Sequence, residues 1–289
     1  MLARIVKMQM VLMVQKKTFQ ISFGFVLLYV VLTYLFYCIK YSGSALSNIV
    51  SASSLYAGNS LTVFANFLNL LFPFLTAFPF AFSYLTDKSV KILSIVQTKS
   101  GTRRYYISKT IACFVGGFTL YFIPFLISIL LNLTTFPTKG VTLWGPLFSW
   151  NYSNWLTGKA VMVDAAGVGL PFLKLYIYNP LLYNLLYALI FSIFTGVLSV
   201  FAFAISFLIR RYKIYLLLPI YAIVYGFNAL TFLLDTDGAT KFYLLRVFDY
   251  ITVDTMYGKT PFFFIGLTFA LVLLSAFLIM RQIKTDQLY

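Results

Sequence analysis

Apolar runs of about 20 residues recur from one end of the chain to the other, and no other feature narrows its fold as sharply. Six stand out, at about 19 to 39, 61 to 86, 110 to 131, 180 to 209, 214 to 234 and 261 to 280. A helix needs about 20 predominantly apolar residues to cross the hydrocarbon of a bilayer. Each run therefore predicts a transmembrane helix. Charged residues form only 10% of the chain, against about 25% in a soluble domain, and the mean hydropathy is +0.89. The expected fold is all-α: one polytopic membrane domain over residues 1 to 289, with six transmembrane helices and no separate catalytic domain. Pro73 and Pro79 in the second run, Pro124 in the third and Pro219 in the fifth predict kinked helices, where neighbours satisfy the freed carbonyls. In residues 1 to 18, Arg4, Lys7, Lys16 and Lys17 are interspersed with Leu2, Ile5, Val6, Met10 and Val14. That pattern predicts an amphipathic helix lying in the membrane surface. The apolar run that follows is too long for the h-region of a signal peptide and no A-x-A-like site ends it, so the segment is expected to be retained.

Charge sets the orientation. With the N-terminus inside, 15 of the 22 Lys and Arg residues fall on the inner side, which places both termini in the cytoplasm of a multi-pass protein of the cell membrane. The net charge of +15 brackets apolar runs rather than forming one basic face, so nucleic acid is not an expected partner. The largest outer segment, 132 to 179, holds Trp144, Trp150 and Trp155 and predicts short interfacial helices, serving as an aromatic anchor or as a substrate gate. The outer segment 235 to 260 carries Asp235, Asp237, Asp249 and Asp254 without a D-x-D-x-D-G loop and reads as solvated surface. Cys38 and Cys113 sit inside apolar runs as fillers.

Missing residue types exclude much chemistry. The chain has no His, and all seven acids are Asp. The usual zinc, haem and di-iron ligand sets and the commonest general bases are absent, and no metal site is expected. No run contains a charged residue away from its ends, so ion-coupled transport has no group to run on. No G-x-x-x-x-G-K-[ST] loop is present to hold a nucleotide, so this chain is expected to carry no cofactor and to be no enzyme. Transport is then passive, or the work arrives through a cytoplasmic contact.

Three stripes recur at helical spacing. On the second run they are Thr62, Asn66, Asn69, Pro73, Thr76 and Ser83; on the fourth, Asn184, Ala188, Ser192, Thr195, Ser199, Ala202 and Ser206; on the fifth, Tyr221, Tyr225 and Asn228. Such stripes let helix backbones approach and hydrogen-bond, or line a path. The candidate pathway residues are Asn66, Asn69, Thr76, Ser83, Asn184, Thr195, Tyr221, Tyr225 and Asn228. Walled by these and by Phe, an uncharged path suits an amphipathic or hydrophobic passenger.

Residues 87 to 109, DKSVKILSIVQTKSGTRRYYISK, are the longest charged interruption. Thr86 or Asp87 can cap a short helix with Val90, Leu93 and Val96 or Gln97 on one face and Lys88, Lys91 and Lys99 elsewhere. Gly101 stops it, Arg103 and Arg104 fall at headgroup level, and Lys109 stands at the foot of the third run. Alone, this is either a basic loop against anionic lipid or a docking element. The six-span plan, the preceding surface helix and the run Gly101, Arg103, Arg104, Tyr105, Ser108, Lys109 resemble the permease subunits of ATP-binding-cassette (ABC) transporters of the type-2 export class. The resemblance covers the whole chain in topology and residues 86 to 110 in motif. It implies a coupling helix from Asp87 to Gln97, carried by Asp87, Lys88, Val90, Lys91, Leu93, Val96 and Gln97, that enters a groove of a separate ATPase subunit. It further implies Gly101 as the turn, Arg103, Arg104 and Lys109 as the inner anchor, and ATP and Mg held in the partner ATPase. The implied partners are that ATPase, a second permease subunit in a homo- or heterodimer, and membrane lipids. The implied function is outward movement of a peptide, an antimicrobial peptide or a lipid-like compound. The alternative is a membrane-embedded interaction or sensing/immunity protein with no transport of its own.

Overall fold

A computed structural model describes residues 2–44, 49–59, 62–89, 101–138, 175, 179–208, 213–234, 245–253 and 261–287. Among these residues the protein is all-helical. Its helices are α1 (Leu2–Gln15), α2 (Lys17–Lys40), α3 (Ala65–Ser89), α4 (Thr102–Thr135), α5 (Pro180–Ile205), α6 (Leu218–Leu234), α7 (Phe248–Ile251) and α8 (Pro261–Gln287). Four of them, α2, α4, α5 and α8, are long and apolar enough to cross a membrane. The apolar parts of α3 and α6 are shorter.

Local signals explain several boundaries. Asn179 caps α5 by accepting a hydrogen bond from the Leu182 amide at 3.0 Å, and Pro180 occupies the first turn, where a missing N–H costs nothing. Gly101, at φ +81°, turns the chain into α4 through a region that favours glycine. Pro219 was expected inside a fifth helix beginning near 214. Instead α6 starts at Leu218, so this proline falls in its first turn, and the residues before it form a 3₁₀ turn over Lys213–Leu216. Helix α4 begins eight residues before its apolar run and is 34 residues long, about 50 Å at the standard rise. Its ends therefore reach beyond the roughly 30 Å of hydrocarbon.

At the centre lies α5, packed against α3, α4 and α8, while α4 also meets α1 and α2. The core between α3, α4 and α5 is a solid aromatic cluster. Phe191 meets Phe72, Tyr121 and Phe125 at ring separations of 5.1, 5.0 and 5.1 Å, and all four rings are buried. The outermost helix is α8, with Phe262, Ile265, Phe269 and Phe277 exposed as lipid-facing side chains would be.

Polar side chains inside this bundle are taken up by contacts between helices. Thr195 of α5 donates to the Gly117 carbonyl of α4 at 2.9 Å, and Ser199 lies 3.3 Å from the Thr76 carbonyl of α3. Pro73 has no N–H for the carbonyl four residues back, that of Asn69. Tyr225 of α6 donates to that carbonyl at 2.7 Å, and Tyr221 to the next, Leu70, at 3.3 Å. A proline-interrupted helix is thus made tolerable in an apolar setting by donors from its neighbour.

Candidate functional site

The helix feet where α1, the end of α3 and the start of α4 meet form a cluster of charge. Along α1 the buried residues are Ile5, Gln9 and Met13, spaced at four, and this face lies on α4. That puts Gln9 beside Lys109, two turns into α4. Asp87, expected to open a new helix, lies instead in the last turns of α3, facing the start of α4. Lys109 donates to an Asp87 carboxylate oxygen at 2.6 Å and to Gln9 Oε1 at 3.2 Å. Tyr105 donates to the same Asp87 oxygen at 2.8 Å, and Lys16 lies 3.9 Å from the other. Lys109 is only 6% exposed. Charge therefore does enter the bundle, as a compensated pair. Burial first, and the Lys109 ammonium second, hold Lys16 below the ordinary lysine value, with Asp87 pulling the other way.

A second knot adjoins the first. Tyr106 donates to Asp286 at the end of α8, and Gln282 donates to the other oxygen of Asp286 at 2.9 Å and to the Tyr84 hydroxyl of α3 at 3.4 Å. Phe207, just past α5, packs edge-on against Tyr84 and Tyr106 at 4.8 and 5.6 Å. Adjacent tyrosines of one helix thus hold two acids, each from a different helix. A cavity of about 20 Å³ remains between α1, α3 and α4, with Gln9, Lys16 and Lys109 on its polar side and Met13, Pro79 and Cys113 on its apolar side. Among the described residues no three His, Cys, Asp or Glu side chains come together as metal ligands would.

The opposite end holds a buried connection between α2 and α3. Residues 50 to 59, expected in an outer loop, are buried throughout. Their backbone is held by side chains from three helices. Asn184 donates to Ser53 O at 2.7 Å, Asn132 to Leu55 O at 3.0 Å and Tyr29 to Ala57 O at 2.7 Å, while the Ala57 amide donates to Ser128 at 3.0 Å. Tyr29 lies 11 residues inside the end of α2, about 16 Å at the helical rise, so the segment re-enters the bundle. Irregular backbone at such depth survives only when protein satisfies it. A parallel bridge joins Asn59 to Val253, and Val247, Phe248 and Tyr250 to Val253 are buried, so this part of the 235 to 260 segment is interior rather than solvated surface. Asn184→Ala is expected to speed amide exchange across residues 52 to 59, with α5 itself unchanged, as measured by hydrogen exchange mass spectrometry.

The candidate pathway residues divide. Thr76, Asn184 and Thr195 are buried, whereas Asn66 is exposed and Asn69, Tyr221, Tyr225 and Asn228 are half-buried along α3 and α6. Among the coupling residues, Gly101, Arg103 and Arg104 are exposed at the start of α4. The side chains of Ser83 and Lys88 lie outside the described residues, as do Val90, Lys91, Leu93, Val96, Gln97 and the three tryptophans. Gln9 carried no expectation from the sequence, and Lys16 was expected only as a basic residue of the surface helix; the i, i+4, i+8 pattern of Ile5, Gln9 and Met13 was the available signal for Gln9.

The four long apolar helices and the lipid-compatible exterior define the class: a membrane-embedded, all-helical protein. Comparison goes no further, since no family model matches the chain and no similar protein was found among curated proteins or solved structures.

Proposed function

We propose that the chain is the transmembrane subunit of an ABC exporter of the type-2 export class, spanning the cell membrane six times through α2, α3, α4, α5, α6 and α8 with both termini in the cytoplasm. A separate ATPase subunit supplies the work from ATP and Mg, and a second permease subunit completes the path. The observation that supports this most is how the ends of the 90 to 100 connector are held. On one side Asp87, on the other Tyr105 and Lys109, are bonded to each other, to α1 through Gln9 and to α8 through the neighbouring Tyr106 and Asp286. A force applied to such a connector reaches four helices at once. Exposed Arg103 and Arg104 flank it as the inner anchor.

A path through one copy would have to displace the packed aromatic core, so the path runs between two copies. The face of α3 and α6 that carries Asn66, Asn69, Tyr221, Tyr225 and Asn228 suits it, being uncharged, aromatic and partly exposed. That lining favours an amphipathic or hydrophobic substrate, such as a peptide, an antimicrobial peptide or a lipid-like compound, moved outward. The same solid core also suits the second reading, a membrane-embedded interaction or sensing/immunity protein without transport.

Co-purification from the native membrane separates the two. An ATPase subunit is expected to accompany the chain, and Leu93→Asp or Val96→Asp is expected to lower its substrate-stimulated turnover about tenfold or more, as loss of a buried apolar anchor would. An unchanged complex and turnover in both variants would remove the coupling role, and absence of any ATPase would leave the second reading.

A further inference from the structure

The cavity at the helix feet is lined by donors. Lys109 spends two of its three N–H bonds on Gln9 Oε1 and Asp87, and its third meets no acceptor among the described residues, lying only 6.0 Å from the Tyr105 ring centre. Gln9 is 4% exposed, and because its Oε1 accepts from Lys109 its amide NH₂ is turned the other way, with no acceptor among the described residues. The Lys16 ammonium completes the polar wall. The nearest acceptor, the Asp87 carboxylate, already receives Lys109 and Tyr105 on one oxygen and faces Lys16 with the other.

We propose that Lys16, Lys109 and Gln9 bind a phosphate oxygen of an anionic phospholipid, taken from the leaflet in which α1 lies. The volume of about 20 Å³ holds one oxygen-sized group, so a phosphodiester oxygen enters while phosphorus and glycerol stay at the mouth. One anionic oxygen accepts several charge-assisted hydrogen bonds at once, whereas a water molecule must also donate, and among the described residues no carboxylate lines the cavity. The lipid source is favoured over a free anion by the surroundings. Leu12 lines the cavity and is also 46% exposed beside Met8 and Val11, so the acyl chains have an apolar track along α1. The inference needs only a membrane and is independent of any transport role.

The test uses the full-length chain in neutral detergent, stripped of lipid, with thermal unfolding followed as lipid is added. Phosphatidylglycerol is expected to raise the midpoint saturably, and phosphatidylcholine of the same chains is not. Lys16→Gln and Gln9→Leu each are expected to weaken the apparent affinity about tenfold, the equivalent of one charge-assisted hydrogen bond. Lys17→Gln removes the same charge from the adjacent exposed position and is expected to leave the affinity unchanged. Gln9→Leu keeps the test decisive if Lys16→Gln fails to fold. Equal stabilisation by phosphatidylcholine overturns the proposal, and so does an equal loss in Lys17→Gln, which would mean diffuse charge attraction. Inorganic phosphate matching the lipid would overturn the lipid source, and unaltered affinity in both cavity variants would leave the cavity to water.

Discussion

Asp87→Asn is expected to destabilise the protein by about 3 kcal/mol, the low end of what breaking one side of a buried ion pair costs. The side chains of Lys109 and Asp87 are 8% and 14% exposed, so little solvent is present to screen the ammonium once its carboxylate is gone. The amide can still accept from Tyr105, which confines the change to charge. Lys16→Gln removes the other cation near Asp87, yet its pair is 3.9 Å long and its side chain 29% exposed. Such a pair is worth under about 1 kcal/mol, so geometry and not charge count decides the ranking. Replacing both partners, Asp87→Leu with Lys109→Met, is expected to recover most of the loss, because apolar groups of similar size need no desolvation compensation. Denaturant titration of the detergent-solubilised protein measures all three. A loss below about 0.5 kcal/mol in Asp87→Asn would mean that water reaches the pair, and the four helix feet would then be held by packing alone.

Much of this architecture can be read from hydropathy, and the exceptions have a common physical cause. The runs at 19 to 39, 180 to 209 and 261 to 280 return as Lys17–Lys40, Pro180–Ile205 and Pro261–Gln287, because a continuous apolar stretch in a membrane leaves its backbone no option but helix. Their ends are less legible. Hydropathy stops where charge starts, but α4 continues through Arg103, Arg104 and Lys109 to Gly101, and α3 carries Asp87 within it. A charged residue ends an apolar run without ending a helix, which is why the ion pair between these two helices was invisible as a contact. The re-entrant segment was hidden for a different reason. Its hydrogen bonds to Ser128, Asn132 and Asn184 span 71, 77 and 131 residues of sequence, and no local period encodes them. One trace did exist: from Tyr41 to Thr86 the chain has no charged residue at all, unusual for a connection meant to sit in water. The small and weakly polar stripes carried an ambiguity that hydropathy cannot resolve. On α5 their members Thr195 and Ser199 serve the contact with α3 and α4, while on α3 Asn66 remains exposed.

That contact between α4 and α5 sets up the second large effect. Gly117→Ala is expected to cost about 1–3 kcal/mol although it adds one carbon, because over-packing a filled interface forces a backbone shift. A Cβ at Gly117 would run into the Ser199 hydroxyl and lie 2.8 Å from the Thr195 backbone oxygen. Reciprocally, a Cβ at Gly196 of α5 would lie 2.9 Å from the Phe114 ring of α4, so the two helices approach closely at both points and neither can rotate to relieve the other. Separating them would stretch the 2.9 Å bond from Thr195 to the Gly117 carbonyl. Ser199→Gly combined with Gly117→Ala is expected to restore only part of the loss, since it removes the Ser199 contacts but leaves the Thr195 carbonyl in place. Gly24→Ala supplies the contrast. It lies within α2 with no atom within 4 Å of an added Cβ, and the higher helix propensity of Ala, worth up to about 1 kcal/mol, is expected to leave stability unchanged or raised. Thermal midpoints of the three variants in one detergent check the ordering. If Gly117→Ala and Gly24→Ala behaved alike, α4 and α5 would have to be farther apart than this packing requires, and the buried hydrogen bonds of Thr195 and Ser199 would have no fixed seam to hold.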